Sequence, residues 1–137
     1  MPIHFKRLSD TRVMFAYDGD VTDRDVDVAH EQWLAALREG DSQGKRMVLL
    51  ADGTLSNGMS ASQRRTTAEF TEQHVALLRR VCAPQAVVIV SAIQRGIMTA
   101  ILWVKPPPVE LRAFKTREEA EAYLDEVERG AALSKSA

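Results

Sequence analysis

A single cysteine, Cys82, stands among 137 residues. One thiol excludes an internal disulfide framework and any zinc or iron–sulfur site built on several cysteines. Charge of one sign is also missing: 18 Lys and Arg face 19 Asp and Glu, a formal charge of −1. Binding nucleic acid through a broad basic surface needs a clear positive excess, so no nucleic-acid partner is expected. Long apolar runs are absent too. Met1 to Arg7 contain none, so no secretory signal is expected. The longest candidate, Ile97 to Val104, falls far short of the ~20 residues a membrane span needs. The expected location is the cytoplasm.

What is present suffices for a core. Hydrophobic residues make up 45% of the chain and charged ones 27%, ordinary globular shares. A chain of this length buries roughly 68–70% of its unfolded surface. One domain is expected over residues 1–129, and residues 130–137, small and mostly polar, are expected to fray.

Two strands open the chain, Ile3–Leu8 and Arg12–Tyr17, separated by the Ser9-Asp10 turn signal. Val13, Phe15 and Tyr17 alternate, which predicts a strand with one buried side. Thr22 and Asp25 have capping-box spacing. Val26, Ala29, His30, Trp33, Leu34 and Leu37 then recur at helical spacing, with Gly40 as the expected stop. Met47–Ala51, continuously apolar, reads as a strand covered on both faces. A polar loop, Asp52–Met59, leads to a second capping box, Ser60 with Gln63. One helix should follow, its inward stripe marked by Thr67, Phe70, His74, Leu77, Leu78 and Val81 and its end by Pro84. Ala86–Val90 reads as a second buried strand. Arg95–Val104 reads as a third helix, stopped by Pro106–Pro108. Val109–Phe114 is the last strand, and Thr116 and Glu119 cap a final helix carrying Ala120, Tyr123, Leu124 and Val127 inward. The order β-β-α-β-α-β-α-β-α predicts an α/β fold. Its mixed sheet has an N-terminal antiparallel hairpin and parallel central strands, and helices cover at least one face.

Several chemical motifs fail on spacing. A calcium loop counted from Asp18 would need Gly at its sixth place and Glu at its twelfth, where Asp23 and Ala29 stand. The acids from Asp18 to Asp27 instead suit a helix N-terminus. Gly40 and Gly44-Lys45 lack the spacing and the Ser or Thr of a phosphate loop. His30 and His74 fall on inward stripes, as hydrogen-bonded boundary histidines do. On one helix His74 and Cys82 would be about 12 Å apart, too far for a thiolate–imidazole pair. Cys82 therefore reads as a small buried hydrophobe. No Ser sits in a G-x-S-x-G elbow, and nothing in their spacing makes Asp52 and Glu69 converge. No catalytic set, metal site or cofactor is expected.

Two features remain. Asp52, Thr54 and Ser56 follow one central strand, and Ser91, Gln94 and Arg95 follow the other. Strand carboxyl ends border the crevice where open parallel sheets bind ligands. Arg64 and Arg65, in a first helical turn where cations oppose the dipole, could join Arg95 around an acidic group. The second feature is Gly96–Val104, apolar but for Thr99 and its terminal Gly. A short surface helix without a polar face predicts a homodimer contact through Ile97, Met98, Ile101 and Trp103.

Several segments together resemble the bacterial SpoIIAA-like proteins, small relatives of STAS domains. They are Asp18-Gly19-Asp20-Val21-Thr22, the strand ending in Asp52, the Arg-Arg helix, Ser91-Ala92-Ile93-Gln94-Arg95-Gly96 leading to Thr99-Ala100-Ile101-Leu102-Trp103, Pro107-Pro108, and Phe114-Lys115-Thr116-Arg117-Glu118-Glu119-Ala120. The resemblance spans roughly residues 10 to 128 and extends to the CRAL-TRIO lipid-binding fold. It implies helices packed mainly on one side of the sheet, no established enzymatic activity, and a regulatory role through a protein partner. Some relatives are switched by phosphorylation of a Ser at the start of the helix after the central strand. The matching stretch here, Asp52–Ser60, lacks their Asp-Ser-Ser-Gly pattern and leaves Ser56 and Ser60 as candidates. The ligand- or partner-binding set is thus Asp52, Thr54, Ser56, Ser60, Arg64, Arg65, Ser91 and Arg95. The alternative is a small-molecule or lipid carrier with an apolar pocket and Arg95 at an anionic head group, which leaves peripheral lipid contact open.

Overall fold

The computed structural model describes residues 2–136, with side chains through Gly130. Its strands are β1 (Ile3–Arg7), β2 (Arg12–Gly19), β3 (Val48–Ser56), β4 (Gln85–Val88) and β5 (Leu111–Phe114). Its helices are α1 (Asp23–Ser42), α2 (Ala61–Gln73), α3 (Val75–Val81), α4 (Ala92–Val104) and α5 (Arg117–Ser136). The five strands lie side by side in chain order, β1 antiparallel to β2 and all later pairs parallel. This is the mixed α/β sheet expected. Residues 130–136, expected to fray, continue α5 in the backbone; their side chains past Gly130, and residue 137, lie outside the described residues.

Local chemistry starts the helices. Thr22 Oγ1 accepts from Asp25 N at 3.1 Å while Asp25 accepts from Thr22 N at 2.8 Å, and Ser60 and Gln63 repeat that exchange at 3.0 Å each way. Thr116 Oγ1 accepts from Glu119 N at the head of α5. Ser91 caps α4, accepting from Gln94 N, so that the helix starts at Ala92, three residues before the expected Arg95. The turn closing α1 belongs to Gly44, not Gly40. Gly44 takes φ +66°, and Lys45 N donates to the Gly40 carbonyl while Gly44 N donates to that of Asp41. Gly40 lies inside the helix, where a Cβ would come within 2.6 Å of Met47 Cγ, so packing against β3 explains that glycine.

Two apolar layers hold the sheet. Val13 and Phe15 of β2 face Val26, Trp33 and Leu37 of α1 and Leu78 and Val81 of α3. Met14 faces the other way with Val48, Leu50, Ala86 and Val88, beneath Ala120 and Leu124 of α5. Strand β2 is therefore buried on both sides, although its alternation predicts one; the closing helix is the last element of the chain, out of reach of a local pattern. Arg12 anchors that helix from a buried position, its Nη2 2.8 Å from Asp125 Oδ1 and its Nε 3.2 Å from Glu128 Oε1.

Strand β4 ends at Val88 and not Val90, β5 starts at Leu111 and not Val109, and two larger differences bear on the site. The single second helix is broken at His74, whose φ of −119° ends α2 and whose Nδ1 donates to the Phe70 carbonyl at 2.9 Å. Both halves carry the same apolar stripe, so spacing does not mark the joint. Strand β3 continues to Ser56, and Asp52, Thr54 and Ser56 lie on it and not in a loop. Pairing with β2 carries it on, through Asp18↔Leu55 and Gly19↔Ser56.

Cys82 follows α3, fully buried, and burial pushes its thiol up to about 12. At pH 8 the native protein should react with a disulfide reagent at least about a thousandfold more slowly than the urea-unfolded chain, because so little thiolate forms. Stopped-flow thiol titration measures the ratio.

Candidate functional site

The carboxyl end of β4 meets β3 where Asp52 pairs with Val88. A Cβ on Gly53 would lie 2.6 Å from the Val88 carbonyl oxygen, so only glycine lets the strands approach this closely. Asp52 Oδ1 accepts from Thr54 N at 3.0 Å and from Thr54 Oγ1 at 2.5 Å. Ser56 Oγ accepts from Gly58 N, and Asn57 ties the strand end to the turn after β2 through Asp20 Oδ1 at 3.0 Å. Ser60 is held in its capping box. Gln63, noticed in the sequence only as a cap, is buried and also donates to the Val21 carbonyl and to Asp23, locking α2 to the start of α1.

Backbone carbonyls engage two of the three arginines expected around an anion. Arg64 Nη1 donates to the Met59 carbonyl at 2.7 Å. Arg95 Nη1 donates to the carbonyls of Ile89 and Val90 at 2.6 and 2.7 Å, pinning the segment between β4 and α4. Arg65 is exposed and makes no ion pair among the described residues. Asp52, Thr54 and Ser56 thus lie along the end of β3, Ser60 and Ser91 cap the helices α2 and α4, and two of three arginines are spent on backbone carbonyls. Among the described residues no group of three His, Cys, Asp or Glu side chains could hold a metal ion.

A cavity of about 180 Å³ lies on the α1 side of the sheet. Phe15, Trp33, Leu49, Phe70 and Val109 give it an apolar wall, and His30, Thr67 and Gln85 supply polar atoms. Sequence reasoning missed it because seven separate elements and the Pro107–Val109 segment contribute to it. His30 stacks on Phe70 at 4.6 Å, and Phe70 in turn lies 4.6 Å from the His74 ring. Thr67 Oγ1 donates to the Gln63 carbonyl, so its 3.3 Å contact with His30 has Nε2 as donor. Burial lowers the His30 pKa; Asp27 opposes that shift and His74 adds to it. A histidine whose folded pKa lies below its unfolded value leaves stability whole above about pH 6.5. Stability then falls as pH drops from there through the folded value. Urea midpoints between pH 7.5 and 5 should decline in the wild type and decline less in His30→Gln.

The dimer residues expected from sequence are split. Ile97, Ile101 and Trp103 are exposed on α4, whereas Met98 is half-buried on the helix's other side. The whole of α4 contains no buried residue.

A five-stranded sheet in chain order, reversed only at its first strand and covered by helices on both faces, defines a mixed α/β domain. The chain belongs to the SpoIIAA-like family, whose family model matches residues 12–125. In three dimensions it is similar to a protein of the DUF3478 family with a SpoIIAA-like fold from Shewanella loihica PV-4. That likeness has a TM-score of 0.65 at 20% identity and covers 89% of this chain and 91% of the other. No curated protein matches it. Among the described residues no helix is long and apolar enough to cross a membrane.

Proposed function

We propose that this chain is a non-enzymatic regulatory module of the bacterial cytoplasm that offers the Asp52–Ser60 segment and the start of α2 to a protein partner. One observation carries the reading. Strand β3 runs four residues past its last pairing with β4, from Asp52 to Ser56, supported there by β2 alone. Its other edge lies open, with Thr54 exposed and Leu55 66% exposed. An unpaired strand edge beside an apolar side chain is a template for an added strand. Arg65, Ser91 and the Asp52–Thr54 pair would supply the polar rim. Affinity capture on the wild-type chain, run beside Leu55→Glu, tests this. A partner retained by the wild type and lost with Leu55→Glu, at unchanged thermal stability, is the expected result. Equal recovery on both chains, or recovery on neither, overturns it.

The cavity favours a second reading, a carrier of a small apolar molecule. Its volume matches what a single aromatic ring occupies in an engineered protein cavity of ~150 Å³ and is too small for a long acyl chain. Arg95 does not line it, so the anionic head group of such a ligand would have to be met elsewhere. Native mass spectrometry decides: a retained small molecule supports the carrier, and a bare chain removes that support.

A further inference from the structure

Helix α4 wears its apolar side outward. At about 100° per residue, Trp103, Gly96, Ala100, Ile93, Val104, Ile97 and Ile101 fall within an arc of about 160°. All seven are exposed, from 56% at Ile97 to 88% at Val104 among the large ones. Arg95, Met98 and Leu102 occupy the half-buried opposite side. With large side chains each offering roughly 150–250 Å² when open, these exposures leave on the order of 700 Å² of apolar surface in water. That exceeds the largest patch of a typical monomer, about 300–600 Å². It approaches the ~800 Å² that each partner contributes to a standard interface.

We propose that a second copy of this chain covers this face, α4 packing against α4 about a two-fold axis near Ile97 and Ala100. A two-fold contact sets a surface against itself, so any charge on it would meet its own sign. None is there: the helix's one charged side chain, Arg95, is turned back onto the Ile89 and Val90 carbonyls. The same fact disfavours an anionic bilayer, which selects helices bearing Lys and Arg on the polar side. Lys105, at the helix end, is paired with Glu72 at 3.0 Å. The face also has the relief a helix pair needs. Gly96 and Ala100, one turn apart, form a shallow groove beside the isoleucines, and a Cβ on Gly96 would touch nothing within 4 Å. The isoleucine ridge of one copy fits that groove in the other. This interface is separate from the open edge of β3, so it stands or falls independently of the partner reading.

Sedimentation velocity at tens of micromolar should give twice the 15.2 kDa chain mass. The double variant Ile97→Asp with Ile101→Asp should give a single chain with an unchanged far-ultraviolet spectrum, since both positions face water. Ala100→Cys should form an intermolecular disulfide under mild oxidation, which the wild type, with its buried Cys82, should not. A wild-type monomer at this concentration overturns the proposal, whether or not it binds phosphatidylcholine–phosphatidylglycerol vesicles. So does a dimer that survives the double substitution, or an Ala100→Cys chain that does not cross-link.

Discussion

Replacing Trp33 by alanine is expected to lower the unfolding free energy by about 3–5 kcal/mol, the range for deleting a buried large aromatic. Trp33 is 5% exposed and packs in the layer that joins α1 to β2 and α3. It also walls the cavity, so its removal opens a void continuous with space already present. A void that merges with another cannot be closed by small local shifts, which places the cost toward the upper end. Urea unfolding followed by circular dichroism gives the value. The other tryptophan is the control. Trp103 is 85% exposed, and Trp103→Ala should change chain stability by less than about 0.5 kcal/mol at protein concentrations where single chains prevail.

Arg12→Ala should cost about 2–3 kcal/mol, and Arg12→Met about half as much, both read from urea midpoints. The Arg12 side chain is only 10% exposed, but those of its partners Asp125 and Glu128 are 58% and 34% exposed. Losing the arginine therefore does not strand a buried charge, because both carboxylates regain water. That keeps the cost below the ~3–5 kcal/mol of breaking a fully buried pair. What is lost is two charge-assisted hydrogen bonds and the packing of the aliphatic stem. Methionine restores the second and not the first. Equal loss in the two variants would assign the whole effect to the ion pairs.

The parts of this fold that could be read from residue order are those decided within a few residues. Thr22, Ser60 and Thr116 start helices because a side-chain oxygen reaches an amide three residues on, and nothing distant is needed. The parallel strands were legible for a similar reason, since Met47–Ala51 and Ala86–Val90 have no polar side to show to water. Two of the departures involve a partner outside the segment. Gly40 reads as a stop until Met47 is seen against it. Asp52-Gly53-Thr54 reads as a turn until β2 is found alongside. His74 breaks a helix whose stripe runs on unchanged.

What residue order showed of the candidate site was a set of polar side chains and not their arrangement. Asp52 and Ser56 lie on β3, and Ser60 and Ser91 cap α2 and α4, but which arginine stays free depends on loop paths. Arg64 and Arg95 lie close to unsatisfied carbonyls and are consumed by them, and Arg65 is not. The apolar character of α4 was plain from Gly96–Val104. That this side faces outward could only come from the fold, as could the cavity, whose lining is drawn from residues 15 to 111.

Strand order that repeats chain order has a consequence during synthesis. Each strand leaving the ribosome finds its neighbour already made, so the sheet can grow strand by strand from the N-terminus. Its α1 face is covered as it grows. The opposite face, Met14, Leu50 and Val88, waits for α5, which is translated after all five strands and which Arg12 then clasps across more than a hundred residues. A nascent chain arrested before residue 117 should therefore display a bare apolar sheet to chaperones, and the finished chain should not.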